Sequence, residues 1–522
     1  MKKFFNITGF CDPERHYMID PLRGLNQKIE KLIADKYYFA MHAPRQSGKT
    51  TLLHALMHKI NAEGQNVCLV FSLETAGYRS ISETDANTKI NQAIVRSAQT
   101  YLKAEWQPNH ADKKETLNLS DFLNQWCIQL PKPLILLVDE IDSLYDDILV
   151  SVLRQFRDGF QLRPTGFPSS VVLVGLRDVR DYKDKVRDPA NTIGSGSPFN
   201  IKAESLRLAN FTKEQIKSLL HQYTEEGGQE FSEDVIDLFY LYTGGQPWLV
   251  NALACEVLYK ILDYDTSKAV TVDIVAQAKE NLIKRRDTHL DSLMDKLQEP
   301  RVRSIIDSII SGADMMYDNY DDDLLYAENL GLIVNKGKGV EITNNIYKEI
   351  IPRVLNKNFQ DLIDPKVQWQ WFIKPGGKLN MDLLLKEFQK FYRRYSESWL
   401  DKFSYHESGK QLLLMAFLQR ITNGGGKVDR EMAMGSGRCD MLIEFEGEKF
   451  VFELKIKYND EYIDEGKDQI TRYLDTVGLE HGYLILFESK SSKEIPWEKR
   501  IRWTDFEHEW MGIKKRITMV EM

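Results

Sequence analysis

Gly48-Lys49-Thr50-Thr51 sets an ammonium and two hydroxyls in succession after a glycine. Such a set can hold a polyanion and a hard divalent cation together. Backbone N–H groups and a helix N-terminus form the anion cradle, a lysine reaches the outer phosphates, and a hydroxyl faces the metal. The flanking sequence supplies the required context. Tyr37-Tyr38-Phe39-Ala40-Met41 reads as a short strand, His42–Thr51 (HAPRQSGKTT) as a small polar loop, and Leu52, Leu53, Leu56, Met57 and Ile60 as one face of a helix. The loop Ala43-Pro44-Arg45-Gln46-Ser47-Gly48-Lys49-Thr50-Thr51 departs from the pattern G-x-x-x-x-G-K-[ST] at one place, where Ala43 replaces the first glycine. Alanine tolerates fewer backbone angles than glycine, so the start of the loop is expected to differ.

Two acids follow at the required kind of place. Pro133–Val138 is an apolar strand ending in Asp139-Glu140. Asp139 is placed to accept a hydrogen bond from Thr50 or from Mg²⁺-bound water, and Glu140 to polarise an attacking water as a base. Between loop and acids, Val67–Phe71 reads as a buried strand, and Ser80–Cys127 as mainly helical. A further strand, Ser170–Leu176, ends at Arg177, a candidate sensor of a γ-phosphate that could equally pair with Asp178. Alternating β and α elements with polar groups at strand C-termini predict a parallel sheet that binds ATP at the strand ends, with Mg²⁺ held by Thr50 and Asp139. Beyond Phe211 the chain reads as helical. Thr212 and Gln215 have capping-box spacing, and Gly244-Gly245 ends one helix before Pro247 opens the next. In this combination (APRQSGKTT, LILLVDE, GLR, SPFNI at Ser197–Ile201, and GGQP) the chain resembles prokaryotic AAA-like ATPases of the STAND group, over roughly residues 5–262. The resemblance implies a lid whose GGQP turn lies over the nucleotide.

A second set of charged residues lies near the C-terminus, in Gly435–Lys457 (GSGRCDMLIEFEGEKFVFELKIK). Alternating apolar positions around Glu446-Gly447 predict a hairpin. With those two residues as the turn, Phe445 faces Glu448 and Asp440 faces Glu453, while Lys455 shares a face with Glu453. Two carboxylates brought close repel unless a cation lies between them, and Mg²⁺ suits an all-oxygen site. Lys455 would then orient a metal-bound water or stabilise developing negative charge on a phosphodiester. Asp440 … Glu453-Leu454-Lys455 resembles the PD-(D/E)XK nuclease superfamily over roughly residues 398–487. Gln469 and Tyr473 resemble its QxxxY support element, and Glu407, with Glu431 as competitor, the acid of its first helix. The resemblance implies metal ligation by Glu407, Asp440 and Glu453, with Mn²⁺ as a substitute, and Asp440, Glu453 and Lys455 as catalytic residues. The strand Tyr483–Phe487 is expected to complete the sheet.

Between these regions, Asp321–Val334 reads as a helix stopped by Gly331 and followed by a strand, and Gly337-Lys338-Gly339 turns into Val340-Glu341-Ile342. This helix–hairpin pattern resembles a winged helix. Acids outnumber bases across Arg301–Lys357, with Asp318 and Asp321–Asp323 before the candidate recognition helix, and phosphate contacts dominate DNA affinity. A protein-docking or intramolecular role is therefore expected of it.

The 522 residues, 43% hydrophobic and 28% charged, are those of a soluble multidomain protein, and the net charge of −8 leaves nucleic-acid contact to local patches. Five scattered cysteines without CxxC spacing fit a reducing cytoplasm, and no apolar run approaches a membrane span. The expected fold is α/β multidomain: an ASCE-type P-loop ATPase core (1–205), a helical lid (206–270), a winged-helix-like module (271–357), a linker (358–397) and a PD-(D/E)XK domain (398–522). The expected function is an ATP switch controlling a metal-dependent nuclease, with DNA favoured over RNA as partner, homo-oligomerisation, and defence against foreign DNA as the setting. The rival readings are a non-nucleolytic nucleic-acid clamp and a signalling ATPase that docks a protein.

Overall fold

A computed structural model describes residues 3–78, 81–109, 117–176, 201–285, 296–297, 299–310, 317–318, 321–337, 339–355, 373–374, 378–400, 414, 417–418, 426–430, 433–434, 437–438, 441–445, 447–457, 460–488 and 501–522. The chain divides into two compact units. The first comprises Met1–Asp291, Tyr317–Lys336 and Thr343–Asn345, and the second comprises Ser292–Met316, Gly337–Ile342 and Ile346–Met522.

The first unit begins with α1 (Asn26–Ala34), β1 (Tyr38–His42), α2 (Lys49–Glu63), β2 (Val67–Ser72), α3 (Glu83–Tyr101), α4 (Leu119–Gln129), β3 (Leu134–Asp139), α5 (Asp146–Asp158), β4 (Ser170–Gly175) and β5 (Lys202–Arg207). The strands form one parallel sheet in the order β2-β3-β4-β1-β5. Alternate residues of each strand enter opposite cores. Tyr38, Ala40, Leu69, Leu136 and Val171 meet α3, α4 and α5, whereas Phe39, Met41, Val70, Ile135 and Val172 meet α1 and α2. Helices on both faces explain why β1, β3 and β4 are buried throughout and read as continuous apolar runs. Ser82 and Asn118 cap α3 and α4 by accepting from the backbone N–H three residues on.

A helical layer follows, with α6 (Lys213–Glu225), α7 (Glu233–Thr243), α8 (Pro247–Cys255) and α9 (Val272–Arg285). Thr212 and Gln215 form the expected capping box of α6. Then come α10 (Pro300–Ile310), α11 (Asp322–Asn329), β6 (Ile333–Asn335), β7 (Val340–Ile342) and α12 (Asn345–Leu355).

The rest of the second unit has α13 (Met381–Leu400), β8 (Gly426–Arg430), β9 (Ala433–Met434), β10 (Gly437–Arg438), β11 (Met441–Phe445), β12 (Glu448–Lys457), α14 (Asp460–Thr476), β13 (His481–Glu488), β14 (Arg502–Trp510) and β15 (Ile513–Glu521). Its six-stranded sheet runs β14-β15-β13-β12-β11-β8 and is mixed, with β12, β13 and β15 parallel. Ile470, Tyr473 and Leu474 of α14 bury one face against Leu442, Val451, Leu484 and Ile517. On α13, Gln389 Nε2 donates to the Glu521 carbonyl and Gln389 Oε1 accepts from Trp503 Nε1. β13 does not end the sheet, as the sequence had suggested, because β15 pairs beside it and β14 forms the edge. β14 (RWTDFEHEW) interleaves charges with its aromatics, as an exposed edge requires, and so lacks an apolar signature.

Candidate functional site

β1 leads into the phosphate-type loop at the carboxyl edge of the parallel sheet. Ala43 is buried and its N–H donates to the Gly175 carbonyl of β4 (3.3 Å). The left-handed residues of the loop are Gln46 (φ 57°) and Gly48 (φ 89°), so the chain needs no glycine at position 43. At Gly48 a Cβ would also lie 3.1 Å from Arg23 Nη2. Ser47 Oγ closes the loop on the Pro44 carbonyl (2.7 Å). Gly48 caps α2 with no side-chain hydrogen bond, and the first turn holds no acid, so its dipole faces the loop uncompensated.

Lys49 Nζ donates to the Ala43 and Pro44 carbonyls, both at 2.8 Å. Burial lowers its pKa to about 8 against the opposing pull of Asp139, Asp142 and Glu140. Thr50 Oγ1 donates to Asp139 Oδ2 at 2.7 Å. Asp139 is 5% exposed, and burial raises its carboxyl pKa even though Thr50 and Lys49 pull it down. Glu140 stands at φ 58°, a left-handed conformation uncommon for a side-chain-bearing residue, and accepts from Ser72 Oγ at 2.7 Å. Burial raises the Glu140 pKa, and the Ser72 hydrogen bond opposes the rise. Asp142 Oδ1 accepts from the Leu176 N–H (3.0 Å), fixing the tip of β4. Arg177 lies outside the described residues.

The helical layer reaches the same loop. Gln246 Nε2 donates to the carbonyls of Arg45 (3.3 Å) and Gln46 (3.4 Å), while its Oε1 accepts from Leu249 N–H and caps α8. A cleft is lined by Ser47, Gly48 and Thr51, by Cys11, Met18 and Ile19, and by Leu219, Pro247 and Asn251. Arg23 also lines it, donating to the Ser47 and Ala209 carbonyls with its guanidinium 5.1 Å from the Phe211 ring centroid. The arrangement suits a triphosphate on the loop, with Thr50 and Asp139 as the groups that would hold a Mg²⁺ ion, Glu140 as the group that would face a water, and the cleft as the place for a base. Ser72 and Arg23 escaped the sequence reading. Ser72 carried a usable signal, a hydroxyl at the tip of the strand beside Asp139, whereas Arg23 is brought in only by folding.

In the second unit the hairpin has the expected register, from Phe445 opposite Glu448 to Met441 opposite Phe452. Asp440, Glu407 and Glu431 lie outside the described residues. Glu453 is 2% exposed, and Lys455 Nζ sits 3.2 Å from its Oε1. Gly466 of α14 lies over Lys455, where a Cβ would come 3.1 Å from Lys455 Cγ. Gln469 Nε2 donates to Glu465 Oε1 (3.1 Å), and Tyr473 is buried in the apolar core. Among the described residues no group of three or more His, Cys, Asp or Glu side chains is placed to hold a metal ion. Likewise no helix among them is long and apolar enough to cross a membrane.

No functionally curated sequence matches the chain. Similar solved structures include the Thermotoga maritima RuvB Holliday junction branch migration motor (16% identity, 63% of this chain and 94% of that one, TM-score 0.34). The Aeropyrum pernix Orc1 protein in complex with DNA is similar at 12% identity (66% and 94%, TM-score 0.36). Cdc6p from Pyrobaculum aerophilum is similar at 14% (68% and 98%, TM-score 0.37). Residues 388–491 match a domain of unknown function, DUF8371. Residues 19–352, well over half of the 522, match the AAA-like domain, and the chain belongs to that family.

Proposed function

We propose that this protein is an ATP-binding and hydrolysing switch that controls a metal-dependent nuclease domain. The observation that carries the ATPase reading is the Thr50–Asp139 hydrogen bond beneath Lys49, with Glu140 next in sequence and held by Ser72. A hydroxyl and a buried carboxylate at 2.7 Å form the oxygen set a Mg²⁺ ion would share. That ion, when bound, neutralises charge on the outer phosphates and polarises the bond to be broken. Lys49 turns from the loop carbonyls to the phosphates, and backbone N–H groups from Arg45 to Thr51, on the loop that starts at Ala43-Pro44, hold the remaining oxygens. Glu140 takes the proton of the attacking water, and Arg177 senses the γ-phosphate. Gln246 ties the GGQP turn to the loop, so nucleotide occupancy and lid position are linked. We divide the chain as ATPase core (1–205), lid (206–270), winged-helix-like protein-docking module (271–357), linker (358–397) and nuclease-like domain (398–522), and place it in the cytoplasm as a homo-oligomer acting on DNA.

The nuclease reading is supported by Glu453 and Lys455 converging on one face of β12 beneath α14. Asp440, Glu453 and Glu407 would hold Mg²⁺ or Mn²⁺, Lys455 would position the water, and Gln469 and Tyr473 would support the core. A rival reading, a nucleic-acid clamp without cleavage, draws on the Lys455–Glu453 pair serving as a structural ion pair. One experiment separates them. The full chain is incubated with single- and double-stranded DNA, with and without ATP, in Mg²⁺ and in Mn²⁺, while phosphate release is followed. Phosphate release together with ATP-dependent cleavage is expected. Metal-independent DNA retention without cleavage favours the clamp, and no phosphate release removes the ATPase.

A further inference from the structure

The segment from Phe4 to Met18 belongs to neither the sheet nor the lid helices, yet it touches both the lid and α2. Most of it is fastened to the lid. Phe5 and Tyr17 are buried against Tyr223 and Tyr259, the Tyr259 hydroxyl accepts from Phe5 N–H (3.3 Å), and Trp248 Nε1 donates to the Ile7 carbonyl (2.9 Å). Tyr17 donates to Glu226 (2.8 Å), and Gln222 both accepts from Met18 N–H (3.3 Å) and donates to its carbonyl (2.9 Å).

Its tip reaches the other way. Cys11 N–H donates to Thr51 Oγ1 on the first turn of α2 (3.0 Å), and Phe10 stacks on His54 one turn later, with centroids 4.6 Å apart and planes 15° from parallel. Asn6 Nδ2 donates to the Gly9 and Phe10 carbonyls and so keeps the tip folded on its own base. Phe10 is 48% exposed, more than an aromatic kept for core packing alone. The strap thus carries a lid-anchored wall of the cleft and grips the helix that bears Lys49, Thr50 and Thr51.

We propose that Phe10 and Cys11 are positioning residues that lock the lid to α2 and retain the nucleotide. The inference rests on the reading of the cleft as an ATP site. A lid swinging away must either break the Cys11–Thr51 and Phe10–His54 contacts or drag the first turns of α2 with it. The grip therefore acts on retention of nucleotide through Thr51 and His54, with no contact to the reacting phosphate.

The test uses the full chain, ADP with a fluorescent label on its ribose, and stopped-flow release. Phe10→Ala and Thr51→Val are expected to speed ADP release at least fivefold. Phe10→Tyr, which keeps a stacking ring, should release at the wild-type rate. For Phe10→Ala, KM for ATP should rise by a larger factor than kcat falls, and amide exchange should quicken at residues 9–12 but not at 4–7. Unchanged release despite quickened exchange at 9–12 overturns the proposal, as does failure of Phe10→Tyr to keep the wild-type rate. If the wild-type chain retains no labelled ADP, the ATP reading of the cleft falls and the strap's role falls with it. Normal retention with indifferent variants removes the strap alone.

Discussion

Ser72 Oγ donates a 2.7 Å hydrogen bond to Glu140 Oε2, and the two residues come from the tips of neighbouring strands, since Ser72 pairs with Asp139 in register. The bond joins the base proposed for water activation to an uncharged side chain. Burial disfavours the charged carboxylate, and the serine hydroxyl favours it. Removing the hydroxyl therefore raises the Glu140 pKa further. If the carboxylate is the working form, Ser72→Ala should move the acid limb of the kcat–pH profile to higher pH, with activity lost earlier as pH falls. Glu140→Gln should lower kcat by about 100-fold or more while nucleotide still binds. An acid limb that stays in place in Ser72→Ala removes Glu140 as the titrating base.

Lys49 offers a second test by pH. Its pKa of about 8 reflects burial outweighing three nearby carboxylates. Phosphates brought next to the ammonium favour its charged form, so the bound-state pKa exceeds the free one. Below the free pKa both states are protonated and Lys49 adds no pH dependence. Above about 8, binding takes up a proton, and affinity falls as pH rises, by up to about tenfold per unit. Calorimetry at pH 9 in buffers of different ionisation enthalpy should show this uptake. It should vanish in Lys49→Arg, whose guanidinium stays charged. Lys49→Ala should lose ATP binding.

The site was readable where one short stretch supplies both the strand and the ligand groups. Lys49, Thr50 and Asp139 follow from two such stretches, and the Thr50–Asp139 hydrogen bond joins them across 89 residues. The hairpin register from Phe445 to Met441 was readable for the same reason, since a two-residue turn fixes every pair beyond it. Contacts made by long-range folding left no local pattern. Arg23 reaches Ser47 and Ala209 from a loop with nothing periodic about it. β14 was missed because charged residues sit among its aromatics along an edge, and β15 because Lys514, Lys515 and Arg516 interrupt its apolar residues. The first unit also takes in Tyr317–Lys336 after residues 292–316 have gone to the second, an interleaving that no linear composition records.

Gly245 separates backbone strain from steric conflict. It stands at φ +70°, and a Cβ there would lie 1.9 Å from the Phe211 carbonyl oxygen, in backbone that itself donates from Phe211 N–H to the Gly245 carbonyl (2.8 Å). Gly227, at φ +84°, has nothing within 4 Å of the same position. Gly227→Ala should therefore cost only about 1–2 kcal/mol for the left-handed backbone. Gly245→Ala should cost about 2 kcal/mol more, because the chain must also move apart. It should also weaken nucleotide binding, since the neighbouring Gln246 would be pulled from the Arg45 and Gln46 carbonyls. Equal denaturant midpoints for the two variants would show that the layer yields freely at Phe211.

Lys455 decides what the second unit does. Its ammonium sits 3.2 Å from a nearly fully buried Glu453 carboxylate, with α14 brought close overhead by Gly466. A structural ion pair and a nucleolytic lysine make opposite demands on substitution. Lys455→Met keeps the apolar stem and removes the charge, so a purely structural role predicts lost stability, with any activity of the folded fraction intact. A role in phosphodiester hydrolysis predicts at least about 100-fold slower DNA cleavage in Mg²⁺, because the positive charge is needed where negative charge develops. ATP hydrolysis should stay within twofold of wild type, since Lys455 belongs to the other unit from Lys49. The variant's unfolding midpoint and its cleavage rate per folded molecule are to be measured together. Cleavage at the wild-type rate by folded Lys455→Met would leave the lysine as a structural partner of Glu453 and remove it from the chemistry.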